Sequence, residues 1–289
     1  MQDFIDQFAT EEACRRYVAE VRWGGSPACP HCGSVELWNV RRGVLKCKEC
    51  RRNVSITAGT VFGDSRIPLR LWFQALWCLV SQKHGVSALG LARVLGIKRY
   101  ETAWYLLQRI RGAMVRPGRE RLSGLVEVDE VFLGGVKPGK RGRGALGKVL
   151  VLVAVEDKGK TGFGRIRIAI IPDASAVSLR RAIESMVEPG STIRTDEWSG
   201  YPSIPKHGYL HIAVKGHASV PGEDPTPLVH RIASLLKRWL LGTHHGRVEE
   251  TRLLSYLNEF VFRFNRRRST SRGKLFFRLV QQMTNTLQA

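Results

Sequence analysis

The apolar positions change period along the chain. Residues 10–22 (TEEACRRYVAEVR) repeat at helical spacing behind Thr10, which suits an N-cap, and acidic residues fill the first turn. From about 26 to 62 this gives way to a ribbon-like stretch rich in Gly, Cys and basic residues. Ile67-Pro68 then opens a strongly apolar helix (LRLWFQALWCLVSQ), and residues 87–114 carry two more helices broken at Gly96-Ile97. After Arg116-Pro117-Gly118, where Pro and Gly both stop the preceding helix, the pattern alternates with period two. Residues 125–133 (LVEVDEVFL), 149–155, 165–171, 191–195 and 209–214 read as strands, while 179–186 and 228–241 read as helices. The order is three strands, helix, strand, strand, helix, with no internal repeat. The KPGKRGRGALG segment between the first two strands reads as a flexible basic hairpin loop.

This pattern predicts a multidomain chain: an N-terminal helix over 1–25, a zinc ribbon over 26–62, an all-α helix-turn-helix segment over 63–118, and an α/β domain over 119–289 with a basic C-terminal tail. Forty-six Lys and Arg against 25 Asp and Glu leave a net charge of +21. Such a surplus repels itself unless a polyanion is bound, and nucleic acid is the usual one. The charge is clustered, in 137–143 (KPGKRGR), at Lys237-Arg238 and in 263–272 (RFNRRRSTSR). Lys140, Arg141, Arg143, Arg238, Arg266, Arg267 and Arg268 are accordingly candidate DNA contacts whose binding falls with salt. No run of about 18 uncharged apolar residues occurs, so the expectation is a cytoplasmic, nucleoid-associated protein rather than a secreted or membrane one.

Cys29, Cys32, Cys47 and Cys50 form C-x2-C, fourteen intervening residues and C-x2-C, the spacing at which two knuckles complete a tetrahedral thiolate site for one structural Zn2+. The metal replaces a core too small to fold alone. His31 lies between two ligands and reads as exposed, while Cys14 and Cys78 sit in apolar helical patterns and read as packing residues. In residues 87–111, Ala92 falls where two helices pack closely and Gly96 at the turn. Lys98, Arg99, Tyr100, Glu101 and Thr102 then open a recognition helix.

Asp129 stands in the middle of the first strand and Asp196 follows the fourth. A charge inside a core strand is costly unless it binds something, and a cation is the expected partner. In a ribonuclease-H-like sheet the first and fourth strands are neighbours, so the two carboxylates meet and suit Mg2+ or Mn2+. Glu127 shares the face of Asp129 and Glu130 does not. Glu127 either assists the site or pairs with a basic side chain. Trp198 and Tyr201 flank Asp196, either to stack on an unpaired base or to pack.

Six motifs in order, CPHCGS, RRNVSITAGTVF, VEVDEVFLGG, TDEWSGY, LLKRWLLGTHHG and NEFVFRFNRR, span nearly the whole chain, which on them resembles the ISXO-like DDE-type insertion-sequence transposases. That resemblance implies metal-dependent cleavage and strand transfer at the terminal inverted repeats of a mobile element, with two Mg2+ or Mn2+ ions polarising the scissile phosphate and activating first water, then the freed 3′-hydroxyl. It implies double-stranded DNA, both element ends and target, as partner. A homodimer or larger assembly is expected, because two ends must meet. It matches Asp129 and Asp196 to the first two acidic ligands and Lys237 to a basic residue on the helix after the third site. The family's third acid has no acidic counterpart here: His230, 34 residues past Asp196 and seven before Lys237, occupies the slot. Seven residues are two helical turns, so His230 and Lys237 share a face. Glu223, Asp224, Glu249, Glu250 and Glu259 are the nearest acidic alternatives. Histidine favours Mn2+, with activity falling as the ring protonates below about pH 6.5. A non-catalytic DNA-binding regulator or a nuclease without strand transfer are the competing readings.

Overall fold

The computed structural model describes residues 2–41, 43–82, 84–116, 118–134, 148–216, 224–244 and 250–285. The chain divides into two compact units, Met1–Arg116 with Ser269–Ala289, and Pro117–Arg268.

The first unit contains helices α1 (Gln2–Gln7) and α2 (Glu11–Trp23), strands β1 (Leu37–Arg41), β2 (Val44–Cys47) and β3 (Asn53–Ser55), helices α3 (Leu69–Ser81), α4 (Ala88–Leu95) and α5 (Tyr100–Ala113), and the final helix α9 (Arg272–Asn285). Thr10 caps α2 as its sequence predicts, its hydroxyl accepting from the Ala13 N–H. Helix α3 follows Pro68, which has no capping side chain; the Glu11 carboxylate of α2 instead accepts the Leu69 and Arg70 N–H groups at 2.9 and 3.0 Å. The segment linking the ribbon to α3 runs as irregular backbone. Its carbonyls are satisfied by arginines: Arg22 donates to Ser55, Ile56 and Ala58, and Arg109 to Val61 and Gly63.

The C-terminal region departs from the sequence reading. A basic tail on the α/β domain was the expectation, yet residues 272–285 form a helix that packs in the first unit. Its apolar residues Leu275, Phe276, Leu279, Val280 and Met283 are buried, and the Phe276 ring lies 5.2 Å from the rings of both Phe4 and Phe73. The basic residues of this stretch obscured an apolar stripe at helical spacing.

The second unit is a five-stranded sheet with helices on both faces. Its strands are β4 (Leu125–Leu133), β5 (Val149–Asp157), β6 (Phe163–Ile170), β7 (Thr192–Thr195) and β8 (Leu210–Ala213), in the order β6-β5-β4-β7-β8. The first three run antiparallel, and β7 and β8 join parallel to β4. Three antiparallel strands extended by two parallel ones make the ribonuclease-H-like arrangement, and they put β4 at the centre. Helix α6 (Ala176–Met186) covers one face, packing Leu179 and Ile183 on Val126, Val128 and Leu152. Helices α7 (Pro227–His244) and α8 (Glu250–Asn265) cover the other, packing Ile232, Leu236, Leu257 and Phe260 on Val131, Val151 and Val153. Helix α8 was another element unassigned in the sequence. No helix among the described residues is long and apolar enough to cross a membrane.

Phe276→Ala should lower the stability of the first unit by about 3–5 kcal/mol, the usual cost of emptying a buried aromatic site. A urea titration followed by zinc release would check this; an unchanged midpoint would mean that α9 contributes no core there.

Candidate active site

Two groups of side chains carry chemistry. The first is the cysteine cluster. Two knuckles close through Cys29 N–H to the Ser34 carbonyl at 2.8 Å and Cys47 N–H to the Arg52 carbonyl at 3.0 Å. All four Sγ atoms lie within 4.8 Å of one another, with Cys29–Cys50 at 3.6 Å and Cys32–Cys47 at 3.5 Å. Zn–S bonds of about 2.3 Å at tetrahedral angles separate sulfurs by about 3.8 Å, so the set fits a zinc ion. The Cys50 N–H holds the Cys47 thiol down at about 7, toward the thiolate that a metal needs. His31 is exposed and its Nδ1 lies 3.3 Å from Arg52, outside the cluster.

The second group lies on the α7 face of the central sheet. Strand alternation sends Glu127 and Asp129 to that face together with Val131 and Leu133. The β4–β7 register pairs Glu127 with Arg194, and two residues further along each chain stand Asp129 and Asp196. The adjacency of the first and fourth strands thus holds. The Asp196 carboxylate accepts the Trp198 N–H at 3.0 Å, and Trp198 in turn donates to the Ala174 carbonyl. Gly200 gives this turn room: a Cβ there would sit 2.9 Å from Trp198 Nε1 and 3.0 Å from the Ala174 carbonyl to which that nitrogen donates. Tyr201 is fully buried and Trp198 packs on the α6 core, so both pack in this unit.

His230 sits one turn into α7 with its ring between two carboxylates. Nε2 is 3.0 Å from Asp129 Oδ2, and Nδ1 is 2.8 Å from Asp224 Oδ1. The Thr226 hydroxyl donates to the same Asp129 oxygen at 3.2 Å, and the Thr226 N–H donates to Asp224 at 3.0 Å. The hydrogen bond to Asp129 pushes the imidazole up to about 9 against burial, which opposes it, and Asp224 adds to the rise. On the other face of β4, burial and then the charge of Asp129 raise Glu130 to about 7, against the opposing pull of the buried Tyr201 hydroxyl beside it. Glu127 is buried at 1% exposure, its carboxylate raised by burial although the Leu228 and Val229 N–H groups pull it back.

Among the sequence candidates, Asp129 and His230 are therefore in direct contact and Asp196 is aligned by register. The ligand atoms of Asp129, Asp196 and His230 do not all come within 4.8 Å of one another as the cysteines do. Lys237 and Arg238 are exposed on α7, where Lys237 lies two turns beyond His230. Glu259 is fully buried on α8, 2.8 Å from Arg263. Lys98, Arg99 and Tyr100 are exposed at the start of α5 and Thr102 is half-buried. Gly96 closes α4 in the left-handed region at φ 65° and the Ile97 N–H donates back to Ala92, which gives the turn between the two helices. Arg267 and Arg268 donate to the carbonyls of Phe163, Gly164 and Thr161, and Arg266 stacks over Phe262. This basic run also ties the end of α8 to neighbouring main chain, with Arg267 and Arg268 still exposed. Lys140, Arg141, Arg143, Glu223 and Glu249 lie outside the described residues. Asp224 entered the sequence reading only as an alternative ligand, because a partner six residues away across a loop leaves no periodic signal.

Residues 121–265 match the family described as "ISXO2-like transposase domain", and residues 9–53 match the "Transposase zinc-ribbon domain" family. An uncharacterized protein in transposable element ISH50 of Halobacterium salinarum is 26% identical over 283 residues, covering 90% of this chain and 92% of that one. Among solved structures, the catalytic core domain of BIV integrase is 19% identical with a TM-score of 0.35, over 52% of this chain and 88% of its own.

Purified protein should carry about one zinc per chain, lost in Cys32→Ser; elemental analysis finding none in intact protein would refute the ribbon site. A second expectation concerns pH. The transition expected near pH 6.5 moves up, because contact with Asp129 holds His230 protonated up to about 9 and a divalent ion must displace its proton. Mn2+ affinity should then rise by up to about tenfold per pH unit between 7 and 9 and level off above. Isothermal titration with Mn2+ at pH 7, 8 and 9 checks this, and a flat profile would exclude His230 as a ligand.

Proposed function

The chain belongs to the ISXO2-like transposase family, and on that premise we propose that its second unit cleaves and joins DNA at the ends of an insertion sequence through an Asp129–Asp196–His230 metal site. The observation that carries this reading is the hydrogen-bonded row Asp129–His230–Asp224. A carboxylate on Nδ1 fixes the tautomer and turns Nε2 toward the other ligand, the arrangement by which proteins prepare a histidine for metal. Two carboxylates and one neutral imidazole suit Mg2+ and, better, Mn2+. Bound there, the ions supply charge neutralisation at the phosphate and activation of water and of the 3′-hydroxyl.

The chain's own residues do the rest. Thr226 orients Asp129, Asp224 accepts the hydrogen bond of the Nδ1–H, and Lys237, exposed on the His230 face of α7, contacts the phosphate backbone. Lys98, Arg99, Tyr100 and Thr102 at the start of α5 read the element ends in the major groove, with Arg238 adding backbone contacts. Two ends must be joined in one complex, so the active form on DNA is a homodimer or larger. A regulator that only binds DNA leaves unexplained why carboxylates should occupy the central strand of a buried sheet.

With labelled donor ends, Mn2+ and a target plasmid, Asp129→Asn and His230→Ala should each lose strand transfer by on the order of 100-fold or more while still binding ends. Arg99→Ala should weaken end binding instead. Activity lost in Glu259→Ala but kept in His230→Ala would overturn the assignment of the third ligand.

A further inference from the structure

Helix α7 starts with a proline, and its first-turn N–H groups are taken in an unusual way. Pro227 has none. The His230 N–H makes the first helical bond, to the Thr226 carbonyl at 3.0 Å. The Thr226 side chain, in the place where a capping hydroxyl normally serves the helix, donates to Asp129 instead. The two amides left over, Leu228 and Val229, both donate to one oxygen of Glu127, at 2.8 and 3.3 Å. Glu127 is 1% exposed and stands on β4, two residues before Asp129 on the same face. The cap of the helix that carries His230 is therefore a side chain of the strand that carries Asp129.

We propose that Glu127 is a positioning residue: by holding the Leu228 and Val229 amides it sets the height and rotation of α7 over β4, and so keeps the His230 ring against Asp129. The proposal rests on the metal-site reading above. A slip of one residue along α7 would move His230 by about 1.5 Å and turn it by roughly 100°, enough to separate ring and carboxylate. The competing role is neutralisation of Arg194, whose Nη1 lies 3.5 Å from the other Glu127 oxygen. That contact is longer and leaves Arg194 partly exposed, whereas both amides face a buried acceptor.

The test uses the zinc-loaded full chain with ring-15N-labelled histidine, the His230 signals being identified by their absence in His230→Ala. Glu127→Leu removes the acceptor, Glu127→Gln keeps an acceptor oxygen without the charge, and Arg194→Met removes the ion pair alone. His230 ring signals should shift in Glu127→Leu and stay in place in Glu127→Gln and Arg194→Met. Binding of Mn2+ alone, followed by its electron paramagnetic resonance, should weaken about 10–100-fold in Glu127→Leu and less than about threefold in the other two. Unmoved His230 signals in folded Glu127→Leu would overturn the proposal. Should Glu127→Leu fail to fold, His230 signals displaced equally in Glu127→Gln and Arg194→Met would overturn it, since charge rather than capping would then be at work. If His230→Ala binds Mn2+ as the natural chain does, the metal-site reading fails, while the ring signals still decide the role of Glu127.

Discussion

The second unit is organised around the cost of burying carboxylates. Strand β4 is the centre of its sheet, yet it carries Glu127, Asp129 and Glu130 within four residues. Each such group is expensive away from water unless it is hydrogen-bonded or paired. The surrounding architecture supplies the partners. Glu127 takes the α7 amides and Arg194, Asp129 takes Thr226 and His230, and Glu130 is pushed toward its neutral form beside Tyr201. The position of α7 and the arrangement of the site are thus two consequences of one constraint.

Remote capping is used twice. Helices α3 and α7 both begin beside a proline, and each receives its cap from a glutamate distant in sequence, Glu11 for the first and Glu127 for the second. A local Ser or Thr cap would fix only the start of its own helix. A carboxylate on another element also fixes how the two elements meet, and it adds charge to the positive end of the helix dipole. Arginine does the complementary work at carbonyls: Arg22, Arg109, Arg267 and Arg268 all end on main-chain oxygens. Part of the net charge of +21 therefore also has a structural role, since these guanidinium groups satisfy the fold's own carbonyls.

The alternation in LVEVDEVFL, the helical period before residue 114 and the two C-x2-C pairs were enough to identify the strands, the helical segment and the zinc ribbon, because periodicity and metal-ligand spacing are local properties. The same local reading singled out Asp129 and Asp196 as candidates, and the family resemblance supplied the spacing that pointed to His230. It overlooked α8 and α9, where arginines mask the apolar stripe, and it assigned the last segment to the α/β domain although that helix belongs to the first unit. Nor could it tell Glu127 the partner of a base from Glu127 the cap of a helix about 100 residues away, or find Asp224 behind His230. Those assignments depend on which buried donor meets which acceptor across the sheet. Only the tertiary structure fixes that, because hydrogen-bond satisfaction is a condition on the packed interior as a whole and not on any stretch of chain.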